Sequence, residues 1–292
     1  MSEIYYTCLL VWAVFFVVGR DSVLRWLAGG LLFGLSTLTK TQTLIFPVFL
    51  FGFTLFLDIV YDGKVNFGPS LRQISLKIIL VYLAMLFVIL PWTWRNYQVF
   101  NEFVLVSTNA GRTLLAENHP NATGDHFPNI NPLENEITIP WEERVARQVE
   151  YDKMARRIVF DWIRDNPGMY LALAPRKIFR LWALDGEGEW GYQAGHPNYE
   201  SHKLAFRSVR YFNQAYYMII LGLCFVTFLS AFYERRRADK SLQCLAYPIF
   251  ISIISIVFHG DPRYHFAAMP FLLILAAMTL KRIVFRGGDH SP

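Results

Sequence analysis

Seven long apolar blocks limit what this chain can fold into: Ile4–Val18, Leu24–Leu38, Thr41–Leu57, Ile74–Leu90, Phe212–Phe232, Leu242–Phe258 and Phe266–Leu280. A hydrocarbon core of about 30 Å is crossed by roughly 20 helical residues. Blocks of this length and polarity suit a bilayer better than one water-soluble core. The average hides the pattern. The 292 residues are 54% hydrophobic, diluted by one polar stretch from Pro91 to Tyr211.

The second and third blocks are separated only by Thr39 and Lys40. One helix from Leu24 to Leu57 would run about 50 Å at 1.5 Å per residue. That is too long for a bilayer, so a tight helical hairpin bending at Lys40 is expected. The expected fold is therefore an all-α integral membrane protein. It has about seven transmembrane helices and one large outer-face loop domain containing amphipathic helices. The predicted division is residues 1–91 (four helices), 92–211 (the loop domain) and 212–292 (three helices and a short tail).

The net charge of +5 could suggest nucleic acid, but the placement of the charges argues against it. Arg20, Arg25, Lys64, Arg72, Lys77, Arg235, Arg236, Arg237, Lys240, Lys281, Arg282 and Arg286 fall on one side of a seven-span topology. The short connections opposite hold only Lys40 and Arg263. Basic residues in short loops mark the cytoplasmic side. The long loop then faces outward. Cys8, Cys224 and Cys244 lie in or beside the blocks, so no structural disulfide is expected. The first block lacks a basic n-region and a cleavage site and is not read as a signal peptide.

Within the loop, Pro91–Tyr97 carries Trp and Tyr suited to a membrane interface. Phe103–Ser107 reads as a short strand. Trp141–Asp165 reads as a helix with Val145, Val149, Ile158 and Trp162 on one face and Thr138 as its N-cap. Asn166-Pro167-Gly168 stops it. Met169–Leu184, with Arg176, Lys177 and Arg180 among apolar residues, reads as an amphipathic helix on the membrane surface.

Three outer-face places hold residues fit for chemistry. Lys40 either snorkels to the headgroups or binds a lipid-linked phosphate. Arg95-Asn96 either anchors beside Trp92 and Trp94 or binds an anionic substrate, since a guanidinium makes bidentate contacts to phosphate. The third is His259-Gly260-Asp261-Pro262-Arg263-Tyr264-His265. Ionisable groups between apolar helices are costly unless paired or in use. The plain reading is a surface turn with Asp261 paired to Arg263. The functional one has Arg263 clamping a phosphate, with Tyr264 and His265 beside it. His259 is a weak metal candidate, and a divalent metal is the one cofactor left open. Weaker clusters are Asp185, Glu187 and Glu189, and His119, Asp125 and His126. Asn121-Ala122-Thr123 fits a glycosylation sequon.

Ser2-Glu3, Gly30–Lys40 (GLLFGLSTLTK) with Pro47, Pro91–Asn96 (PWTWRN), Ser107–Gly111 (STNAG), Asn166–Gly168 and Gly260–Pro270 (GDPRYHFAAMP) occur in that order. Together they resemble the C-terminal two-thirds of bacterial polyprenyl-phosphate-dependent glycosyltransferases of the GT-C fold. Aminoarabinose transferase and protein O-mannosyltransferase relatives belong to that group. The resemblance implies a bacterial inner-membrane enzyme with its large loop in the periplasm. It implies inverting transfer of a sugar from an isoprenoid-phosphate carrier to a lipid, glycan or protein acceptor. Basic residues at the outer surface would hold the carrier phosphate, with Lys40 at the position of the family's LTK lysine. The family's catalytic base is an acidic residue in a first outer loop that has no counterpart here. The resemblance therefore implies a truncated chain, completed by a further N-terminal segment or a partner, and leaves the base unassigned. A transporter or flippase, or a non-catalytic membrane subunit that binds lipid-linked sugar, are the alternative classes. Transporters place ionisable or broken-helix sites near the bilayer midplane, whereas here the charges gather at the outer surface.

Overall fold

The computed structural model describes residues 2–62, 67–124, 131–184, 193–195, 197–234 and 240–286. Among them helices alternate with loops, and none lies in a strand. The helices are α1 (Ser2–Val18), α2 (Val23–Thr39), α3 (Phe46–Asp62), α4 (Phe67–Phe100), α5 (Ala110–Glu117), α6 (Gln148–Asp165), α7 (Pro167–Leu181), α8 (Tyr199–Glu234), α9 (Ala246–Val257) and α10 (Met269–Arg286). Three helical stretches are long and apolar enough to cross a membrane: Arg72–Phe100, Tyr199–Ser230 and Pro262–Val284. The other four apolar helices, Ser2–Val18, Val23–Thr39, Phe46–Tyr61 and Leu242–Val257, are shorter. At 1.5 Å per residue a 17-residue helix such as α1 or α2 reaches only about 26 Å.

The helix break expected at Lys40 is present, but α2 packs on α1 and α4 rather than along α3, so the two do not form the tight hairpin expected. Lys40 leaves α2 in an extended conformation (φ −140°, ψ 104°), and a 3-10 turn over Thr41–Leu44 leads into α3. The Tyr82 hydroxyl on α4 donates to the Leu44 carbonyl at 2.6 Å, tying the turn to the neighbouring helix. The two helices α2 and α4 meet along glycines. A Cβ on Gly30 would stand 2.5 Å from the Val81 carbonyl oxygen, and one on Gly34 would stand 2.8 Å from the Val88 Cβ. Small residues four apart let helix backbones approach closely, the usual means of helix association where water offers no hydrophobic drive.

The apolar core splits in two. One part joins Leu10, Phe33, Phe46, Met85, Tyr247, Phe250 and Leu275 from the long apolar helices. The other, smaller part joins Leu115, Ile139, Tyr151, Ala155, Val159, Trp162 and Leu173 from the polar stretch. Residues at 151, 155, 158, 159 and 162 share one face of α6, the three-and-four spacing that buries a helix stripe.

Several expected boundaries move. The helix through Pro91 does not end there but runs on to Phe100. Proline removes one backbone bond without forcing a stop when the neighbouring turns hold. The helix after the polar stretch begins at Tyr199, before the expected boundary near 212. Phe103–Ser107 is not a strand. It is held as an irregular segment because the Trp92 indole donates to the Val106 carbonyl (2.9 Å), Thr93 to Leu105 (2.8 Å), and Asn96 to Val104 and Val106 (both 3.1 Å). Side chains at the end of α4 take the carbonyls that a partner strand would otherwise bind. The expected helix over Trp141–Asp165 is split into a short turn at Trp141–Glu143 and α6 from Gln148. Val145 is 81% exposed rather than buried. Thr138 caps neither piece, and its hydroxyl points to the Met154 sulfur. The stop at Asn166 holds, with Pro167 opening α7 at a position where its missing N–H costs nothing.

Candidate functional site

The ends of α1, α2 and α9 that carry Glu3, Lys40 and His259 meet at one end of the helix group, beside the turn Pro262–His265. Lys40 Nζ lies 3.1 Å from Glu3 Oε1 and 5.0 Å from the centroid of the Tyr264 ring. The turn is built by Asp261. Its Oδ1 accepts the backbone N–H of Arg263 at 2.9 Å, with Pro262 at the first helical position. Its Oδ2 lies 2.8 Å from Arg263 Nε. Arg263 Nη2 in turn donates to the Tyr264 hydroxyl at 3.4 Å, and the guanidinium sits 5.1 Å from the same ring. One phenol ring thus carries an ammonium and a guanidinium at cation–π distance.

Next to this ring opens a cavity of about 340 Å³. Lys40, Gln42, Ser107, Asn109, His259 and Tyr264 supply its polar lining, and Leu44, Ile45, Ile251, Ile254 and Phe258 its apolar walls. Its residues come from three widely separated parts of the chain. Two hydroxyl and phenol groups below it, Tyr6 and Tyr247, are hydrogen bonded at 3.1 Å, and Thr43 donates to Tyr6 at 3.0 Å. This buried polar link pins α1, the Thr41–Leu44 turn and α9 together beneath the site.

The sequence candidates separate into groups. Lys40 and Tyr264 line the cavity; Asp261 and Arg263 are not among its lining residues, and Arg263 adjoins it through the Tyr264 hydroxyl and ring. His265 does not line it. It is 1% exposed, its Nδ1 is 2.6 Å from the Leu181 carbonyl, and its ring stacks on Tyr217 (4.8 Å) and Trp182 (5.9 Å). Those contacts make it an anchor between α7, α8 and the turn. Arg95 lies over Trp92 at 4.9 Å and donates to Asn96 Oδ1 at 3.2 Å. Asn96 is 2% exposed and holds the segment that leads to Ser107. Neither lines the cavity, so Asn96 positions one of its walls from outside. His259 Nδ1 lies 3.7 Å from Glu117 Oε1, and both residues are buried. Among the described residues no group of three His, Cys, Asp or Glu side chains converges as a metal site would require. Asn121 and Thr123 are exposed. Asp125, His126, Asp185, Glu187 and Glu189 lie outside the described residues.

Lys177, which stands in the sequence as one of three cations on an amphipathic helix, is a buried neighbour of the site. It is fully buried, donates to Asn118 Oδ1 at 2.6 Å and to the Ile256 carbonyl at 3.0 Å, and lies beneath the 259–265 turn. Burial pulls its ammonium down to about 8, and the Glu117 carboxylate offsets part of that effect. His119, also buried, has its imidazole lowered by burial, partly countered by its backbone bond to Ala116 and by Glu134. The signal for Lys177 was present in its spacing: Leu173, Lys177 and Leu181 share one helix face, and all three are buried. Gly260 exists because of this packing. A Cβ there would stand 1.9 Å from the Lys177 carbonyl oxygen. No family model, no curated protein and no solved structure matches this chain.

Proposed function

We propose that this chain is a membrane glycosyltransferase, or the part of one that binds the donor. It would hold a polyprenyl-phosphate-linked sugar in the Lys40 cavity for transfer to an acceptor at the same face. The observation that carries this reading is the Tyr264 ring, flanked by Lys40 and Arg263 at the edge of a cavity with mostly apolar walls. A phosphate suits the ammonium and guanidinium. An isoprenoid chain suits Leu44, Ile45, Ile251 and Phe258.

In this reading all seven apolar helices cross or enter an inner membrane, and the loop between α4 and α8 faces outward. Arg20, Arg25 and Lys77 lie at the end opposite Lys40, as the positive-inside rule asks. The charged residues gather at the two ends of the helices and leave their middles apolar. That favours a surface transferase over a transporter with a midplane site.

The chemistry follows from charge. An acceptor hydroxyl oxygen attacks the anomeric carbon as its proton passes to a general base or to solvent, the bond from that carbon to the phosphate oxygen breaks, and the electron pair leaves with the polyprenyl phosphate. Lys40 and Arg263 meet the negative charge as it grows on the leaving phosphate. To do so Lys40 exchanges the Glu3 carboxylate for the phosphate.

The test is sugar transfer or release from a radiolabelled polyprenyl-phosphate sugar by the full chain in proteoliposomes. Lys40→Ala and Arg263→Ala are each expected to lower it by about 10²-fold. Absence of any sugar release by the unaltered chain, together with carrier binding unaffected by both variants, would remove the reading.

A further inference from the structure

A second cavity, of about 410 Å³, opens at the opposite end of the same helices. It lies between the α1–α2 connection, α3, the start of α4 and the 3-10 segment Lys240–Leu245. Among the described residues its rim carries charges of both signs in equal number: Arg20 and Lys77 against Asp21 and Asp58. Lys77 Nζ lies 2.6 Å from Asp21 Oδ1, and the Gln73 amide donates to Asp21 Oδ2 at 2.7 Å. Two groups remain to be matched. The Arg20 guanidinium, exposed at the rim, has no partner among the described residues. The Gln243 Oε1 is buried without a hydrogen-bond partner. An orphaned buried acceptor costs its full desolvation unless something donates to it.

We infer that this cavity binds the headgroup of a zwitterionic aminoethyl-phosphate lipid. Arg20 and Lys77 donate to the phosphate, while the primary ammonium donates to Gln243 Oε1 and the neighbouring carboxylates. The balanced rim favours a zwitterion over a simple anion, which would leave the two carboxylates repelling it. The orphan oxygen asks for an N–H donor, which a trimethylated ammonium lacks. Val18, Leu50, Phe51 and Ile74 line the same cavity and suit the first methylenes of the acyl chains, which selects a lipid over free aminoethyl phosphate. Bound there, the lipid would wedge α3 against α4 at the end remote from Lys40. This site is independent of the carrier cavity.

The test titrates the delipidated full chain in detergent with short-chain phosphatidylethanolamine, phosphatidylcholine, phosphatidylglycerol and free phosphoethanolamine, read by native mass spectrometry. The ethanolamine lipid is expected to bind about tenfold more tightly than either other lipid, the worth of one or two charge-assisted hydrogen bonds. Gln243→Leu is expected to erase the preference over phosphatidylcholine, and Arg20→Ala to weaken all the phospholipids. Lys40→Ala is expected to leave the titration unchanged, which separates this site from the carrier cavity. Equal binding of the three lipids by the unaltered chain overturns the inference, whether or not the variants fold. So does free phosphoethanolamine binding as tightly as the lipid.

Discussion

The ammonium of Lys40 rests 3.1 Å from the carboxylate of Glu3, 37 residues earlier in the chain. Both side chains are about one quarter exposed, and pairs of that kind contribute roughly 0.2–1 kcal/mol. The pairing therefore holds Lys40 in place at little cost to a competing anion. Glu3→Gln is expected to tighten binding of a polyprenyl phosphate by about two- to fivefold, the free energy of the lost pair. The effect should shrink with added salt. Calorimetric or fluorescence titration at low and high salt checks both parts.

Lys177 makes stability depend on pH in the alkaline range. Its folded value of about 8 lies below the ordinary lysine value of 10.5, so between those values the unfolded chain binds the proton and the folded chain does not. Stability then rises with pH across that window, by an amount on the order of 3 kcal/mol, and is flat in this group below it. Lys177→Met is expected to remove the rise. Thermal unfolding in detergent at pH 8 and pH 10.5, for both proteins, provides the check.

Glycines in this chain differ in what surrounds them. A Cβ on Gly260 would collide with the Lys177 carbonyl, whereas one on Gly222 meets nothing within 4 Å. Gly260→Ala is expected to push α7 off the turn, at about 1–3 kcal/mol, and to weaken carrier binding. Gly222→Ala, inside α8, is expected to stabilise by about 0.5–1 kcal/mol through helix propensity alone. Melting temperatures of the two variants, side by side, measure the contrast.

Asn96 acts on the cavity without touching it. Replacing it with Ala strands the carbonyl of Val104 and leaves that of Val106 with the Trp92 indole alone, at about 1–3 kcal/mol. Asn96→Ala should loosen the segment to Ser107 and raise hydrogen exchange at residues 104–107. Arg95→Ala should leave that exchange unchanged, because the partners of Arg95 among the described residues are Trp92 and Asn96 and not the 104–107 segment.

How much of this was legible follows from what each signal depends on. The helix break at Lys40 could be read because a continuous helix would be too long, an argument that needs only chain length; the packing of α2 on α4 instead of α3 could not. The Asp261–Arg263 pair could be read because the two residues are neighbours in sequence. The Glu3–Lys40 contact could not, since it depends on which helix ends meet, and a single sequence carries no record of that. Pro91 stands in the sequence at the start of the outer loop, yet the helix runs on to Phe100, and Trp92, Thr93 and Asn96 on its extension clamp residues 104–106. Lys177 looked like one of three surface cations on α7. Only its register with Leu173 and Leu181 distinguishes it from Arg176 and Arg180. His265 looked like a ligand and is a packing residue, because Trp182 and Tyr217, distant in sequence, close around it.

The most direct test of the carrier-phosphate site compares the dissociation constants of decaprenyl phosphate and decaprenol for the full chain and for Lys40→Ala. The phosphate is expected to tighten binding by at least about tenfold in the unaltered chain, and Lys40→Ala is expected to abolish that advantage, leaving the alcohol bound as before. Equal affinities for phosphate and alcohol in the unaltered chain, or an advantage that survives Lys40→Ala, would contradict it.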